Sequence, residues 1–600
     1  MHRYRFEQFV SVRLLTTSRY APEGDRFAYV ANTTGLPNLW LQPAGGGFPR
    51  QLTSFTDRRV GDFAWSPDGG RIAFLADRDG DEMYQLYVVD ADGGWPRQLT
   101  DAPKVQYELG GWLPDGRSVV ITGNDREPSE MDPQCIDVET GEVTRLVTGG
   151  GYHAGEPAPS GNRVPIVEFL SNTSQRLFLL DLDSGERLPI APREGVAKAM
   201  PGPWRGDGSG LYFATDEGRD FTGLAYADAH TGAWSYVVAE EHELDGATVS
   251  GDGLTLAAVV NIDGASELRR VSLADGGHEP RPAPDLPLGV VNGLSLHPSR
   301  GEALLLHTTP QHAPNLVQLE LGGGTSRILE QSMLGGVDPS ELSLPEAVRY
   351  PSFDRDIPGW LYRPEGAGPF PTVLSIHGGP EGQERPQYAY LGLYQYLVSR
   401  GIAVLAPNIR GSSGFGTPYQ RLIYRDWGGD ELRDIEAAAQ YLRAAAWADS
   451  ERLAVFGASF GGFATLSAVT RLPEYWAAGV DMVGPSNLVT FAGSVPSWWR
   501  PMIKGWVGDA EEDRDLLRER SPISYVDQVR VPLLVIQGAN DPRVVQAESD
   551  QMVDKLREQG LEVEYHVDEN AGHGPADRDG WIDWLDRTAR FLERHLLTTA

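Results

Sequence analysis

A turn motif recurs seven times in the first half of the chain, and its spacing constrains the fold more than any other feature. Each copy puts a small or proline residue and an Asp-Gly-like pair before a strand-like run, as in Pro67-Asp68-Gly69 before residues 71–75. Asp-Gly between apolar runs predicts a hairpin, because that turn needs positive φ. The equivalent glycines are Gly24, Gly69, Gly116, Gly161, Gly208, Gly253 and Gly301, which are 45, 47, 45, 47, 45 and 48 residues apart.

Repeats of this length with several short strands each predict propeller blades, so we expect a seven-bladed β-propeller. The alternative is a β-sandwich of loosely similar hairpins, and the near-equal spacing disfavours it. After about residue 345, strand-like runs alternate with amphipathic helical stretches, which predicts a parallel sheet covered on both faces. We therefore expect a two-domain protein of β plus α/β class: an N-terminal segment over residues 1–18, a β-propeller over 19–335 and an α/β-hydrolase catalytic domain over 336–600.

The second half contains a candidate nucleophile. Gly457-Ala458-Ser459-Phe460-Gly461 follows the strand-like run 453–456 and precedes a helical stretch. A serine in G-x-S-x-G between strand and helix sits on a sharp turn that lifts its oxygen above the sheet. Ser459 is therefore the predicted nucleophile.

A serine nucleophile needs a base, and the base needs an orienting carboxylate. In this fold the order along the chain is Ser, then Asp or Glu, then His. Asp541 follows a strand-like run, and His573 lies in a glycine-bracketed loop after the next one. We predict that Asp541 and His573 complete a catalytic triad, in preference to the rivals Asp568, His566 and His595.

An oxyanion formed at the serine needs two hydrogen-bond donors. One predicted donor is the backbone amide of Phe460, which follows the nucleophile. The other should come from the loop after an early strand, where His377-Gly378-Gly379-Pro380 lies. Gly379 is the preferred donor, and Gly378 is the alternative.

Composition excludes several function classes. The chain has 52 basic and 84 acidic residues, and a net charge of −32 argues against nucleic acid as a partner. Its one cysteine, Cys135, fits a reducing compartment. The start lacks the apolar segment of a signal peptide, and no apolar run is long enough to span a bilayer. We expect a cytoplasmic protein with no membrane partner, no metal and no cofactor.

These motifs together resemble those of the prolyl oligopeptidase family (S9) of serine peptidases. The resemblance is carried by the sequences around Ser459, Asp541 and His573, by the double glycine Gly461-Gly462, by Asn408-Ile409-Arg410-Gly411-Ser412, and by the propeller ahead of the hydrolase. The His377-Gly378-Gly379-Pro380 segment looks most like the acylaminoacyl-peptidase branch. The resemblance implies short peptide substrates, and it leaves homo-oligomer formation open.

The resemblance also implies substrate-binding residues. Arg543 matches an arginine that binds a substrate carbonyl or carboxylate in relatives, and Arg500 is a candidate to join it as a carboxylate clamp. Phe491, Trp498 and Trp499 are candidates to line an apolar pocket, or are ordinary core or interface aromatics.

Three functions remain open on these grounds. The favoured one is an acylaminoacyl-peptidase-type exopeptidase. A carboxy-terminal exopeptidase with an arginine clamp and a carboxylesterase on the same fold are the alternatives. A propeller scaffold with an inactive hydrolase is disfavoured, because all three triad residues are present.

Overall fold

Seven four-stranded antiparallel sheets precede one eight-stranded sheet in the computed structural model, which describes residues 3–597. The predicted seven-bladed propeller followed by an α/β-hydrolase domain is thereby confirmed. The blade strands are β1 Leu15–Tyr20, β2 Arg26–Thr34, β3 Leu36–Pro43, β4 Arg50–Gln51; β5 Arg58–Trp65, β6 Arg71–Arg78, β7 Gln85–Asp90, β8 Arg97–Gln98; β9 Tyr107–Trp112, β10 Ser118–Gly123, β11 Asp132–Asp137, β12 Val143–Arg145; β13 Tyr152–Ala154, β14 Arg163–Ser171, β15 Ser174–Asp181, β16 Arg187–Ala191; β17 Ala199–Trp204, β18 Gly210–Thr215, β19 Gly223–Asp228, β20 Trp234–Val238; β21 Glu243–Val249, β22 Thr255–Ile262, β23 Ala265–Ser272, β24 Glu279–Arg281; β25 Val290–Leu296, β26 Glu302–Thr309, β27 His312–Glu320, β28 Ser326–Glu330.

Each blade is one continuous segment of chain, and the repeated turn motif joins its first two strands. Tryptophans at the ends of three inner strands connect neighbouring blades. The indole Nε1 of Trp65, Trp112 and Trp204 donates to a backbone carbonyl on the inner strand of the preceding blade, or just after it, at 3.3, 3.1 and 2.8 Å. A buried indole N–H needs such a partner, so these residues serve both packing and register between blades.

The hairpins between the second and third strands of blades 2 to 7 face the catalytic domain. Three of them are longer than the rest and span residues 79–84, 124–131 and 216–222. The hairpin of blade 4, by contrast, is the two-residue turn Asn172-Thr173. This face of the propeller therefore presents loops of unequal reach to the active-site side of the other domain.

The catalytic sheet has the order β29-β30-β32-β31-β33-β34-β35-β36. The pairs β29–β30 and β30–β32 are antiparallel, and all other neighbouring strands of this sheet are parallel. Its strands are β29 Glu346–Pro351, β30 Asp356–Tyr362, β31 Phe370–Ile376, β32 Ala403–Pro407, β33 Ala448–Ala458, β34 Ala478–Met482, β35 Leu533–Gly538 and β36 Val563–Asp568. Apolar clusters cover both faces of this sheet, as expected for parallel strands.

Helices pack on both faces of the catalytic sheet. They are α1 Phe6–Val10, α2 Leu393–Ser399, α3 Thr417–Gln420, α4 Asp430–Ala444, α5 Phe460–Arg471, α6 Leu488–Ser494, α7 Arg500–Trp506, α8 Arg514–Arg520, α9 Ala547–Glu558 and α10 Arg578–Leu596. The short helix α1 precedes the propeller in sequence, yet Phe6, Phe9 and Val10 lie in the core cluster of the catalytic domain. None of the helices within residues 3–597 combines the length and apolar character needed to cross a bilayer.

Candidate active site

The predicted nucleophile lies on a strained turn between β33 and α5. Ser459 has φ 59° and ψ −121°, a backbone conformation that residues other than glycine seldom adopt. A side chain at Gly457 or at Gly461 would collide with a backbone carbonyl oxygen, so the strand and helix meet closely around the serine. This turn holds the Ser459 hydroxyl at the carboxyl end of the sheet and at the N-terminus of a 12-residue helix.

The structure brings Asp541 and His573 together on the loops after β35 and β36. His573 Nδ1 lies 2.6 Å from Asp541 Oδ2. The other carboxylate oxygen of Asp541 accepts the backbone N–H groups of Arg543 and Val544, at 2.8 and 3.0 Å. Because the carboxylate can only accept at this contact, it keeps the proton of a neutral imidazole on Nδ1 and leaves Nε2 as the basic nitrogen.

The basic nitrogen of His573 has no hydrogen bond to Ser459 or to any other described residue. Nε2 is buried and has no hydrogen-bond partner in the part of the chain that the structure describes. His566 lies within β36, and its Nε2, 3.2 Å from an oxygen of Asp583, also has no hydrogen-bond partner among the described residues. His573 differs in that Asp541 holds its Nδ1, while the rival carboxylate of Asp568 accepts from the indole of Trp584 at 3.0 Å. The geometry therefore favours His573 over His566 as a general base.

One predicted oxyanion donor, the Phe460 amide, follows the nucleophile in the chain, and the other lies on the loop 377–380, which approaches the nucleophile at Gly378. Neither the Phe460 amide nor the Gly379 amide donates to a protein acceptor within residues 3–597. Gly379 has φ +122°, and a side chain there would collide with the next two amides, so the loop requires glycine. A Cβ atom at Gly378 would lie 3.3 Å from the Cβ of Ser459, which shows how closely this loop approaches the serine.

His377 is a structural support of this loop. Burial lowers its pKa to about 4, so the imidazole is neutral. Nδ1 donates to the carbonyl of Gly378 at 2.8 Å, and Nε2 lies 2.8 Å from the hydroxyl of Ser412. The imidazole thus ties the loop to the neighbouring segment after β32.

Both domains of the chain match known protein families. The family described as "Prolyl oligopeptidase family" matches residues 390–599, and the one described as "TolB beta propeller domain" matches residues 7–165. The segment 390–599, which carries Ser459, Asp541 and His573, thus matches the prolyl oligopeptidase family. The chain is accordingly a serine-type peptidase.

The proteins that this chain resembles have names that describe different activities. Dipeptidyl aminopeptidase BIII of Pseudoxanthomonas mexicana is 29% identical over 92% of this chain and 83% of its own length. The acylamino-acid-releasing enzyme of Mus musculus is 26% identical, but over 42% of this chain and 35% of its own length. A Mycobacterium tuberculosis puromycin-hydrolyzing peptidase shares the fold, with a TM-score of 0.81 at 22% identity over 98% of this chain and 96% of its own.

The substrate-binding residues that the family resemblance predicts differ in how far the structure exposes them. Phe491 is 5% exposed and stacks on Trp427, with 6.0 Å between ring centroids, inside the core. Trp498 is half-buried. Arg500 is exposed and forms no hydrogen bond or ion pair within the described residues. The carboxylate clamp of Arg500 and Arg543 therefore stays a prediction.

Arg543 contacts the propeller instead. Its Nε and Nη2 lie 3.0 and 2.9 Å from the two carboxylate oxygens of Glu82, on the hairpin 79–84 of blade 2. The guanidinium also lies over the ring of Trp499, at 5.7 Å from its centroid. The same hairpin packs Gly80 against Gly572, next to His573. An acidic propeller side chain thus stands beside the candidate site.

The hairpin that carries Glu82 is a firmly built element. Glu82 itself has φ 59°, and its amide donates to Asp77 at 3.1 Å. The side chain of Asp77 is fully buried and accepts from Arg59 Nε at 2.8 Å. The sequence reasoning missed Glu82; the available signal was that Asp79-Gly80-Asp81-Glu82 lengthens one hairpin of an otherwise regular repeat.

One group of side chains among the described residues has the spacing of metal ligands, namely Glu562, Glu564 and His595. It lies at the amino end of β36, and Glu564 pairs with Arg594 at 2.7 Å. The candidate active site lies at the carboxyl ends of the strands, so this group has no part in it.

Proposed function

We propose that this protein is a serine exopeptidase that removes short units from the free amino end of peptides. Ser459, His573 and Asp541 are its triad, and the amides of Phe460 and Gly379 are its oxyanion donors. The observation that carries the proposal is the position of Glu82. This carboxylate, 17% exposed, reaches from the propeller to Arg543, two residues from Asp541.

The proposed reaction is a two-step acyl transfer. Ser459 attacks the scissile carbonyl as His573 Nε2 takes its proton, while Asp541 holds the Nδ1 tautomer and stabilises the imidazolium. The two amides bind the oxyanion. His573 then protonates the leaving amine, and water hydrolyses the acyl-enzyme by the same route.

Charge supports recognition of an amino end rather than a carboxyl end. An α-ammonium group is a natural partner for Glu82, and the negative field of the chain, with net charge −32, favours its approach. A substrate carboxylate that approaches Arg543 would instead be repelled by the carboxylate of Glu82, which already occupies that guanidinium. The relative that covers 92% of the chain is a dipeptidyl aminopeptidase, which agrees with this choice.

A second candidate is the acylaminoacyl-peptidase type that the sequence favoured. The observation in its favour is that Glu82 already pairs with Arg543, so a blocked amino end could bind without leaving either charge alone. The likeness of 42% of the chain to the acylamino-acid-releasing enzyme of Mus musculus also supports it.

One short peptide in three forms separates these functions: free at both ends, N-acetylated, and C-amidated. Products are identified by mass spectrometry after incubation with the enzyme and with Ser459→Ala. We expect release of short amino-terminal units from the free and amidated forms, and at least tenfold slower cleavage of the acetylated form. Release of an acetylated amino acid at an equal rate would favour the second candidate. Protection by amidation would indicate a carboxypeptidase, and ester hydrolysis alone would indicate an esterase.

The variant Glu82→Gln tests the carboxylate directly. It keeps the size of the side chain and removes its charge, so KM for the free peptide should rise by about tenfold, or ~1.4 kcal/mol, while the acetylated peptide is unaffected. Glu23→Gln, on the distal face of blade 1, is the matched control and should change neither value. Equal effects of Glu82→Gln on both peptides would contradict an ammonium-binding role.

A further inference from the structure

The loop that carries Gly379 binds the propeller through the side chains of three alternate residues. Glu381 accepts a hydrogen bond from Asn172 of blade 4. Gln383 accepts from Asn261 of blade 6 at 2.7 Å. Arg385 binds Asp245 of the same blade. These three contacts come from alternate positions of one loop, so the propeller contacts the loop along residues 381–385.

Glu381 is the member of this series that lies closest to the oxyanion donor. Its backbone amide approaches the position that a Cβ of Gly379 would occupy, at 2.5 Å. Its carboxylate also accepts from Gln420 at 2.8 Å and from the hydroxyl of Tyr424 at 2.6 Å. No cation pairs with it in the described part of the chain, so three neutral donors satisfy its charge.

The blade 4 turn contributes twice to this arrangement. Asn172 donates to Glu381, and its neighbour Thr173 accepts from Arg421 Nε at 3.0 Å through its hydroxyl and from Arg421 Nη2 at 3.1 Å through its carbonyl. Arg421 lies on the same segment as Gln420 and Tyr424. The turn, the oxyanion loop and the segment 420–424 therefore share one hydrogen-bond network that crosses the domain boundary.

We propose that Glu381 is a positioning residue through which Asn172 of the propeller sets the Gly379 amide for catalysis. Glu381 does not touch the substrate; it fixes the loop two residues beyond the donor. Loss of the Asn172 contact frees the carboxylate to move with Gln420 and Tyr424, and the loop then shifts the Gly379 amide away from the oxyanion. The inference rests on the proposed role of Gly379 in the serine peptidase reaction, and it does not depend on which peptide end the enzyme recognises.

The test uses the full-length enzyme and a p-nitrophenyl ester, so that it works whether or not the proposed exopeptidase specificity is correct. Asn172→Asp places a carboxylate against Glu381 and should lower kcat about tenfold with KM changed less than threefold, because a displaced oxyanion donor weakens only the transition state. Affinity for a peptide aldehyde, which forms an oxyanion at Ser459, should fall by a similar factor. Adding Glu381→Gln supplies an amide donor to the new carboxylate and should restore most of the lost kcat.

Asn162→Asp is the matched control. Asn162 lies in the same blade on the distal face, and its side chain donates to Asp183, so this change also opposes two carboxylates. It should leave kcat within twofold of the wild type at a similar change in Tm. Equal losses of kcat in both single variants, or failure of Glu381→Gln to restore activity to Asn172→Asp, would overturn the proposal. An unchanged kcat in Asn172→Asp would overturn it as well, while ester hydrolysis abolished by Ser459→Ala would leave the serine mechanism standing.

Discussion

At the scale of single residues, the bond between Asp541 and His573 leads to a sharp prediction. Asn at position 541 presents an amide N–H or a weaker acceptor to Nδ1, which permits the tautomer with the proton on Nε2. A histidine in that tautomer cannot take the proton of Ser459, so Asp541→Asn should lower kcat by roughly 10⁴ with little change in Tm. The measurement is kcat on a p-nitrophenyl ester together with a thermal melt.

Asp568→Asn is the informative control at this scale. Asp568 was the rival orienting carboxylate in the sequence, and in the structure it accepts a hydrogen bond from the indole of Trp584. The variant should keep kcat within a few-fold of the wild type while lowering Tm. A large loss of kcat at position 568, or a small one at position 541, would reverse the assignment of the orienting residue.

At the scale of elements, the tryptophans that link neighbouring blades give the next prediction. Trp112 is 6% exposed and donates to the carbonyl of Ala64. Trp112→Phe leaves that buried carbonyl with one partner fewer and opens a small void, so the propeller should lose about 1–3 kcal/mol and melt earlier. Trp95→Phe is the control, because Trp95 is 81% exposed and should tolerate the change. Equal melting curves for the two variants would contradict the linking role.

The elements also show how far the sequence could predict the structure. Regular features were predictable: turn glycines at near-equal spacing marked all seven blades, and the alternation of strand-like and helical stretches after residue 345 indicated the sheet that contains β31 to β36. Contacts between distant segments were not predictable, because hairpin length alone does not reveal where a loop points. Glu82 meets Arg543, 461 residues later, only because the propeller closes on the other domain.

At the scale of the whole molecule, the domain boundary contains a buried carboxyl group that has no cation partner within residues 3–597. Glu384 is 5% exposed and accepts from the hydroxyl of Tyr394 at 3.1 Å, and burial raises its pKa to about 7. Tyr362, Tyr390 and Tyr394 surround it, and burial raises their pKa values too, so they stay neutral in this range. Its neighbours Gln383 and Arg385 bind blade 6.

This carboxyl group should make the stability of the closed molecule depend on pH. The pKa of Glu384 is higher in the folded than in the unfolded chain, so its stabilising contribution is complete below about pH 4.5 and is lost as pH rises through 7. The difference amounts to about 3 kcal/mol. Glu384→Gln keeps an acceptor for Tyr394 and cannot ionise, so its Tm should fall less than that of the wild type between pH 5 and pH 8. The exposed Glu365→Gln serves as the control, and parallel Tm profiles for wild type and Glu384→Gln would show that Glu384 does not titrate in the folded protein.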